Sequence, residues 1–360
     1  MNYPVSAPES NSHPYRLYII LSLILVLVGA IAFGGYKIVF YPAESQPVND
    51  AAAVAPVPSP EEKKDAPVIS SPEEYDRRIA AMVNGDSSGL WPVKTEYPLE
   101  GAILPYKRIV AYYGNLYSKQ MGILGELSRP QMLKKLQEEV AAWHAADTAT
   151  EVVPALHYIA VTAQLSPGKN NTYRLRMPHH QIDSVLSMAK EINALVFIDI
   201  QVGHSTLQQE LPELEKYLKM PNVHLGIDPE FSMKGGHAPG KKVGTFDATD
   251  INYATEYLAK LVKENNLAPK IFVVHRFTQN GVTNYRQIKT RPEVQFVMDM
   301  DGWGHPHLKK DTYRNYIYKE PVQFTGFKVF YKNDTKKNGR LLTPAEILAL
   351  KPRPLYIQYQ

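Results

Sequence analysis

Short apolar runs alternate with amphipathic segments from residue 108 to the end of the chain. Between the apolar runs, the spacing of apolar residues predicts helices at 128–147, 177–193, 207–220, 247–266, 307–320 and 343–350. The eight apolar runs have the length and composition of strands, and they lie at 108–115, 154–164, 194–201, 223–231, 270–277, 294–301, 322–331 and 354–360. Because nearly continuous apolar strands that alternate with helices form parallel sheets covered on both faces, the pattern predicts an α/β fold.

Eight strand–helix units over this length favour a (β/α)8 TIM barrel, which typically has about 250 residues. A doubly wound open sheet is the alternative, but the turn GNLY that begins at Gly114 lacks the glycine spacing of a phosphate-binding loop. The last predicted strand has no helix after it. A helix at 72–83, capped by Ser71, is therefore expected to cover the gap beside that strand or to close the bottom of the barrel.

A different pattern precedes the barrel. Residues 17–35 are apolar and uncharged between Arg16 and Lys37, and the run is long enough to cross a bilayer core of about 30 Å. A cleaved signal peptide is the alternative because the sequence AIA at 30–32 resembles a cleavage site, but the apolar character extends to residue 41 and favours an uncleaved anchor. The expected organisation is an N-terminal tail (1–16), a transmembrane anchor (17–41), a disordered Pro- and Ala-rich linker (42–71) and a TIM-barrel ectodomain (72–360).

Composition narrows the function classes. The chain has no cysteine, which excludes disulfide bonds and a lipid anchor attached to cysteine. Its net charge is +4 with both signs interspersed and no nucleic-acid-binding motif is present, so no nucleic-acid partner is expected. The two charges that flank the anchor nearly cancel and do not decide its orientation. The Pro-rich linker instead indicates an extended spacer that holds the C-terminal domain of a single-pass membrane protein outside the cytoplasm.

Polar residues gather at the carboxyl ends of the predicted strands, where TIM barrels form their active sites. The run VHLGIDPE ends in Asp228 and Glu230, and because side chains alternate along a strand these carboxylates are expected to point the same way. Further residues at these ends are expected to bind substrate, namely Tyr112, Tyr113, Gln164, Gln201, His204, His275, Arg276, Asp299, Trp303, Lys328 and Gln358. For Arg276, an ion pair on the helix side of the sheet is the alternative.

Two carboxyl groups flanking a sugar ring are what glycosidic cleavage requires, one protonated and one ionised, and neighbouring acids supply both states by separating each other's pKa values. Glu230, nearest the rim, is the expected proton donor. Asp228 or Asp199 would orient it or act from the other side, and Asp301 completes the catalytic candidates. No cofactor is predicted. The alternative is a divalent metal held by these four acids and His275, although none of them shows H-x-H, H-E-x-x-H or C-x-x-C spacing.

The tripeptide Asp228-Pro229-Glu230 at the end of a fourth strand is similar to the D-x-E of chitinase-type glycosidase barrels and of muramidase barrels. Both resemblances imply Glu230 as the proton donor and Asp228 as its partner. The chitinase signature carries two further aspartates where this chain has Gly226 and Val223, and the muramidases carry an aspartate on the first strand that this chain lacks.

A broader resemblance covers most of residues 108–360. The segments AYYGNLYSKQMGILGE, VFIDIQVGHS, VHLGIDPEFSM, VVHRF and PLYIQYQ look like a group of uncharacterised bacterial exported barrel proteins, some of them associated with cell-wall-binding modules. That resemblance implies an envelope location and no established activity. It also implies a shared site around Asp199, Gln201, Asp228, Glu230 and His275.

Together these patterns predict a membrane-anchored extracytoplasmic TIM-barrel protein that resembles glycoside hydrolases and acts on or binds an envelope glycan. Two alternatives stay open. One is a non-catalytic barrel that binds a wall polymer or a protein, and the other is a metal-dependent hydrolase of phosphodiesters or esters.

Overall fold

The structure, a computed structural model, describes residues 71–360. The predicted tail, the transmembrane anchor and all but the last residue of the linker lie outside this range, so these predictions stay untested. None of the helices within the described range is long and apolar enough to cross a membrane.

Strands and helices alternate along the described part of the chain. The strands are β1 (Lys107–Gly114), β2 (Glu151–Ala163), β3 (Arg174–Arg176), β4 (Leu195–Ile200), β5 (Val223–Ile227), β6 (Phe246–Asp247), β7 (Lys270–Arg276), β8 (Val282–Thr283), β9 (Val294–Met300), β10 (Phe324–Val329) and β11 (Tyr356–Tyr359). The α-helices are Pro72–Val83, Ile123–Glu126, Arg129–Ala146, His179–Glu191, Leu207–Leu218, Ala248–Asn265, Pro306–Thr312 and Pro344–Leu348. A π-helix, Tyr313–Tyr318, continues the helix predicted at 307–320.

Within residues 71–360, eight parallel strands close into a barrel in the order β1, β2, β4, β5, β7, β9, β10, β11. The barrel closes because β1 pairs in parallel with both β2 and β11. The short β3 adds to β2 in the antiparallel direction, and β6 pairs with β8 outside the barrel. The predicted (β/α)8 architecture is therefore confirmed, and the alternative open sheet is wrong.

Side chains of the barrel strands alternate between the barrel interior and the layer beneath the helices. In β1, Ile109 and Ala111 belong to the interior cluster, whereas Val110 and Tyr112 pack in the cluster outside the sheet. Apolar side chains fill the amino-terminal half of the interior, including Ala155, Phe197, Ile271, Val273, Val297, Phe324 and Tyr356. This packed layer forms the base on which the carboxyl-terminal half of the barrel rests.

The helix Pro72–Val83 closes the bottom of the barrel, one of the two positions expected for it. Ser71 caps it, because its hydroxyl accepts a hydrogen bond from the Glu74 backbone N–H at 3.3 Å. Met82 and Val83 at its end are buried in the same cluster as the apolar interior of the barrel. The carbonyl of Met82 also accepts a hydrogen bond from the backbone N–H of Arg353 at 2.8 Å, just before β11.

Replacing Met82 by alanine removes a buried side chain from the barrel floor. We expect Met82→Ala to lower the free energy of unfolding by about 2–5 kcal/mol, the usual range for such a cavity. Equilibrium denaturant unfolding measures this loss. Leu90→Ala, at a side chain that is 41% exposed, is the control and should change the unfolding free energy little. Equal effects of the two substitutions would contradict the assigned role of the helix.

Candidate active site

The carboxyl-terminal half of the barrel interior is polar. Side chains alternate along a strand, so residues two or four positions apart face the same way. The polar residues near the strand ends therefore face inward, as the apolar residues near the strand starts do. These side chains are buried, and they are Tyr113, His157, Asp199, Gln201, Asp228, His275, Asp299, Asp301, Lys328 and Gln358. They form one connected group, which we call the polar cluster.

Asp199 lies at the centre of the polar cluster. Its Oδ2 accepts a hydrogen bond from the Tyr113 hydroxyl at 3.0 Å. Its Oδ1 lies 3.3 Å from His157 Nε2 and 3.6 Å from His275 Nε2. Burial by itself raises the pKa of Asp199, but the two imidazoles and the tyrosine hydroxyl outweigh it and hold the pKa below its usual value. Asp199 is thus an ionised carboxylate at neutral pH.

A second chain of contacts runs through the strands on the other side of His275. The Nδ1 atom of His275 lies 3.1 Å from Asp299 Oδ2 and 3.4 Å from Asp301 Oδ2. Lys328 donates a hydrogen bond to Asp301 Oδ2 at 2.9 Å, and its ammonium lies 4.0 Å from the centre of the Tyr113 ring. Burial, and next the charge of Asp301, raise the pKa of Asp299 well above its usual value. Both causes disfavour the ionised form of this acid.

Asp228 and Glu230 lie nearer the mouth of the barrel. The predicted strand 223–231 is too long, because β5 ends at Ile227 and a 3-10 turn, Pro229–Phe231, follows. Pro229 has no N–H to continue the strand ladder. Gln201 donates a hydrogen bond to Asp228 Oδ2 at 3.3 Å. The turn leaves Glu230 half-buried. It is more exposed than the other four acids at this end of the barrel, which are Asp199, Asp228, Asp299 and Asp301.

The pKa values of these two acids are raised. For Asp228 the causes are burial first and then the charge of Glu230, and its pKa lies well above the usual value. For Glu230, burial and the charge of Asp301 raise the pKa to about 8. The prediction that the two carboxylates point the same way rested on a strand through both residues, and that strand ends at Ile227.

Two of the predicted substrate-binding residues point away from the barrel interior. Tyr112 faces the helices, where its hydroxyl lies 3.0 Å from that of Tyr331. The guanidinium of Arg276 donates to the Tyr316 carbonyl at 2.6 Å and pairs with Glu320. The physical reason is the alternation itself, since each is the immediate neighbour of an inward-facing residue. Including them with the pocket residues was wrong, and the alternative for Arg276 is correct.

Three other predicted residues lie in loops at the same end. The backbone N–H of Gln164 bonds to the Tyr173 carbonyl at 2.8 Å. His204 packs against the Tyr173 ring with centroids 4.3 Å apart, and its Nε2 lies 2.8 Å from the His237 carbonyl oxygen. Trp303 is half-buried in the segment after β9. The contacts of Gln164 and His204 are thus with neighbouring loops rather than with the polar cluster.

The sequence interpretation missed His157. It lies in the middle of β2, buried, with Nδ1 2.5 Å from the hydroxyl of Tyr356 and 3.1 Å from Gln358 Nε2. A single histidine inside an otherwise apolar strand was the available signal, because a buried polar group needs a partner. The acid nearest to it is Asp199 on the neighbouring strand β4, whose Oδ1 lies 3.3 Å from Nε2.

Two glycines make room for the polar cluster. A Cβ on Gly226 would come within 2.3 Å of His157 Nε2 and 2.6 Å of Asp199 Oδ1. A Cβ on Gly326 would come within 2.4 Å of Asp299 Oδ1. All three distances are far inside van der Waals contact. Glycine is therefore required at these positions of β5 and β10 by close approach rather than by backbone conformation.

Within residues 71–360, the side chains that could share a metal ion are His157, Asp199 and His275, each offering one donor atom within 4.8 Å of the others. The metal set expected from the sequence included Asp199 and His275, but it combined them with Asp228, Glu230 and Asp301. The observed grouping brings in His157 and leaves those three acids out.

Comparisons with known proteins give no family. No family model matches the chain, and no curated protein matches it. Among solved structures, a GH5-4 broad specificity endoglucanase from an uncultured bovine rumen ciliate has 10% identity and a TM-score of 0.33, covering 57% of this chain and 73% of that one. A family 5 xyloglucanase from Paenibacillus pabuli has 11% identity and a TM-score of 0.32, with coverages of 62% and 81%.

The spore coat polysaccharide biosynthesis protein spsE from Bacillus subtilis is similar at the same level. It has 12% identity and a TM-score of 0.33, covering 74% of this chain and 61% of that one. These are distant structural similarities, and at such TM-scores they carry no argument. The site must therefore be interpreted from its own geometry.

Adding a methyl group at Gly226 tests the packing of the polar cluster. We expect Gly226→Ala to lower the free energy of unfolding by about 1–3 kcal/mol, because His157 or Asp199 must move to admit the Cβ. Denaturant unfolding measures the loss. Gly235→Ala is the matched control, since a Cβ there would meet only a His237 atom at 3.6 Å. A Gly226→Ala protein as stable as the control would show that the cluster is loosely packed.

The raised pKa of Glu230 predicts a pH-dependent stability difference between the wild-type protein and Glu230→Gln. The folded state favours the protonated acid, so the wild type loses stability relative to the variant as the pH rises from about 4.3, the unfolded pKa, to about 8. Unfolding free energies of both proteins across this window measure the effect. A difference that does not change with pH would contradict the raised pKa.

Proposed function

We propose that this protein is a glycoside hydrolase that acts on an envelope glycan, with Glu230 as the proton donor. The observation that carries the proposal is the position of an acid with a pKa of about 8 at the mouth of a barrel lined by further carboxyl groups. At neutral pH this acid keeps the proton that a departing sugar oxygen needs. It is also the acid of the cluster that is most exposed to an entering substrate.

The second carboxyl group is assigned to Asp301. It lies on the strand end two places around the barrel from Glu230, and its charge is the largest electrostatic influence on the Glu230 pKa. The Lys328 ammonium, 2.9 Å away, favours the ionised form of Asp301 against the burial that raises its pKa. An ionised carboxylate in this place would stabilise an oxocarbenium ion or activate water.

The remaining predicted acids take supporting roles. Asp228 stands next to Glu230 and is held by Gln201, so it would orient the proton donor. Asp199 is completely buried beneath them and would act through the hydroxyl of Tyr113 rather than on the substrate.

The proposed location is the outer face of a membrane. Support comes from the uncharged apolar run at 17–35 and the Pro-rich segment that follows it. A barrel held off the membrane by such a spacer would meet the polysaccharides of the envelope, which fits the proposed substrate class.

One observation favours a second candidate, a barrel that binds a glycan without cleaving it. Four of the five acids are exposed by 5% or less, and contacts with histidine, lysine and amide groups occupy them. Buried acids held by such contacts also suit the floor of a pocket that binds a glycan without cleaving it. Turnover measurements separate the two candidates.

Replacing Glu230 by glutamine tests the proton donor. We expect Glu230→Gln to reduce turnover of wall glycans by about 10²–10⁴-fold, the usual contribution of a general acid. Release of reducing ends by the purified protein measures it. Glu256→Gln, at a helix side chain that is 76% exposed, is the matched control and should keep wild-type turnover.

The wild-type rate should also fall as the pH rises through about 8, because Glu230 then loses its proton. Unchanged turnover in Glu230→Gln would end the proton-donor assignment. A wild-type protein that binds glycans and releases no reducing ends would establish the binding barrel instead.

A further inference from the structure

Three side chains from three strands converge beneath the rim acids. Oδ1 of Asp199 lies 3.3 Å from Nε2 of His157 and 3.6 Å from Nε2 of His275. All three side chains are buried, with exposures of 1% or less. Within residues 71–360, none of these three atoms has a hydrogen-bond partner. Leaving one buried polar atom unpaired is costly, and three at one point indicate a ligand between them.

The far side of each imidazole is occupied. Nδ1 of His275 lies 3.1 Å from Oδ2 of Asp299, and Nδ1 of His157 lies 2.5 Å from the Tyr356 hydroxyl. Histidines that bind metals are held through their second nitrogen in this way, which aims the other nitrogen at the cation. With its Nδ1 proton donated to Asp299, His275 would direct a lone pair at the Asp199 carboxylate. A cation between these atoms would bind the nitrogen lone pair and the carboxylate oxygen together.

The surroundings keep the three donor atoms in place. The Tyr113 hydroxyl holds the other oxygen of Asp199 at 3.0 Å, so Oδ1 is directed toward the imidazoles. The Phe197 ring stacks on His157 with centroids 5.2 Å apart and planes 14° from parallel. The absence of a side chain at Gly226 lets His157 Nε2 and Asp199 Oδ1 approach the backbone of β5, since a Cβ there would lie 2.3 and 2.6 Å from them.

The charge of the polar cluster also favours a cation. Burying several carboxyl groups together is unfavourable unless positive charge compensates them. The Lys328 ammonium supplies one positive charge through its contact with Asp301. Among residues 71–360, Asp199 has no lysine or arginine within ion-pair distance, and its near neighbours are the two imidazoles.

We propose that His157, Asp199 and His275 bind a divalent transition-metal cation, with Zn²⁺ as the preferred ion. Two imidazoles and one carboxylate suit Zn²⁺, whereas Mg²⁺ and Ca²⁺ prefer sites made of oxygen ligands. Three protein ligands leave a coordination position for water or another small ligand. The site is formed without Glu230 and without a sugar, so it goes beyond the proposed glycan hydrolysis and can fail independently of it.

The test measures metal in the full chain, purified in detergent without chelators. We expect elemental analysis to find one Zn²⁺ per chain. Treatment with a chelator should lower the Tm, and added Zn²⁺ should restore it. Asp199→Asn and His157→Gln should weaken Zn²⁺ binding by more than about 100-fold, since they remove ligands rather than supporting groups. His179→Gln, at an exposed helix start, is the control and should bind Zn²⁺ as the wild type does.

Cobalt substitution gives a readout that does not depend on how well the variants fold. Wild-type protein loaded with Co²⁺ should show visible absorption from a cobalt ion bound by nitrogen and oxygen ligands. A wild-type protein without metal, whose Tm and spectrum do not respond to Zn²⁺, Co²⁺ or Mn²⁺, would overturn the proposal. Equal metal content in wild type and Asp199→Asn would overturn it as well, because the ion would then lie elsewhere.

Discussion

Repulsion among carboxyl groups buried at one end of the barrel is the constraint on which the rest of this structure depends. Burial and neighbouring charge raise the pKa of Asp228 and of Asp299 well above the usual value, which disfavours the ionised form of each acid. Lys328 compensates Asp301, and two imidazoles and a tyrosine hydroxyl surround Asp199. The strand ends hold these groups together. In water, without the barrel, the like charges of the carboxylates would drive them apart.

The barrel accommodates this cost by dividing its interior into two layers. The amino-terminal layer, closed by the helix Pro72–Val83, is a packed apolar core that stabilises the strands. The carboxyl-terminal layer takes the polar side chains, and glycines in β5 and β10 supply the space they need. Exposure rises within that layer from Asp199, which is completely buried, to Glu230 at the mouth. The same set of acids thus offers a deep ligand site and a protonated group at the surface.

The alternation of side chains explains which site residues the sequence could predict. It placed Asp199, Asp228 and Asp301 at inward positions of the correct strand ends, because a two-residue period and an apolar strand are readable in one dimension. The prediction that Tyr112 and Arg276 line the pocket was wrong for the same reason, because their chain neighbours Tyr113 and His275 are the residues that face inward. His157 was missed because a histidine in an apolar run shows its role only when its partner on another strand is known.

The sequence by itself determined the eight strands and the end at which polar groups gather, because the hydrophobic period is a local property of the chain, whereas closure into a barrel required the pairing of β1 with β2 and β11. Only the tertiary structure decided which of those groups touch. The meeting of His157, Asp199 and His275 brings together a stretch of chain more than a hundred positions long, from His157 to His275. The pKa of Glu230 likewise depends on burial and on Asp301 from another strand. Distances and dielectric surroundings arise from packing, and no sequence spacing encodes them.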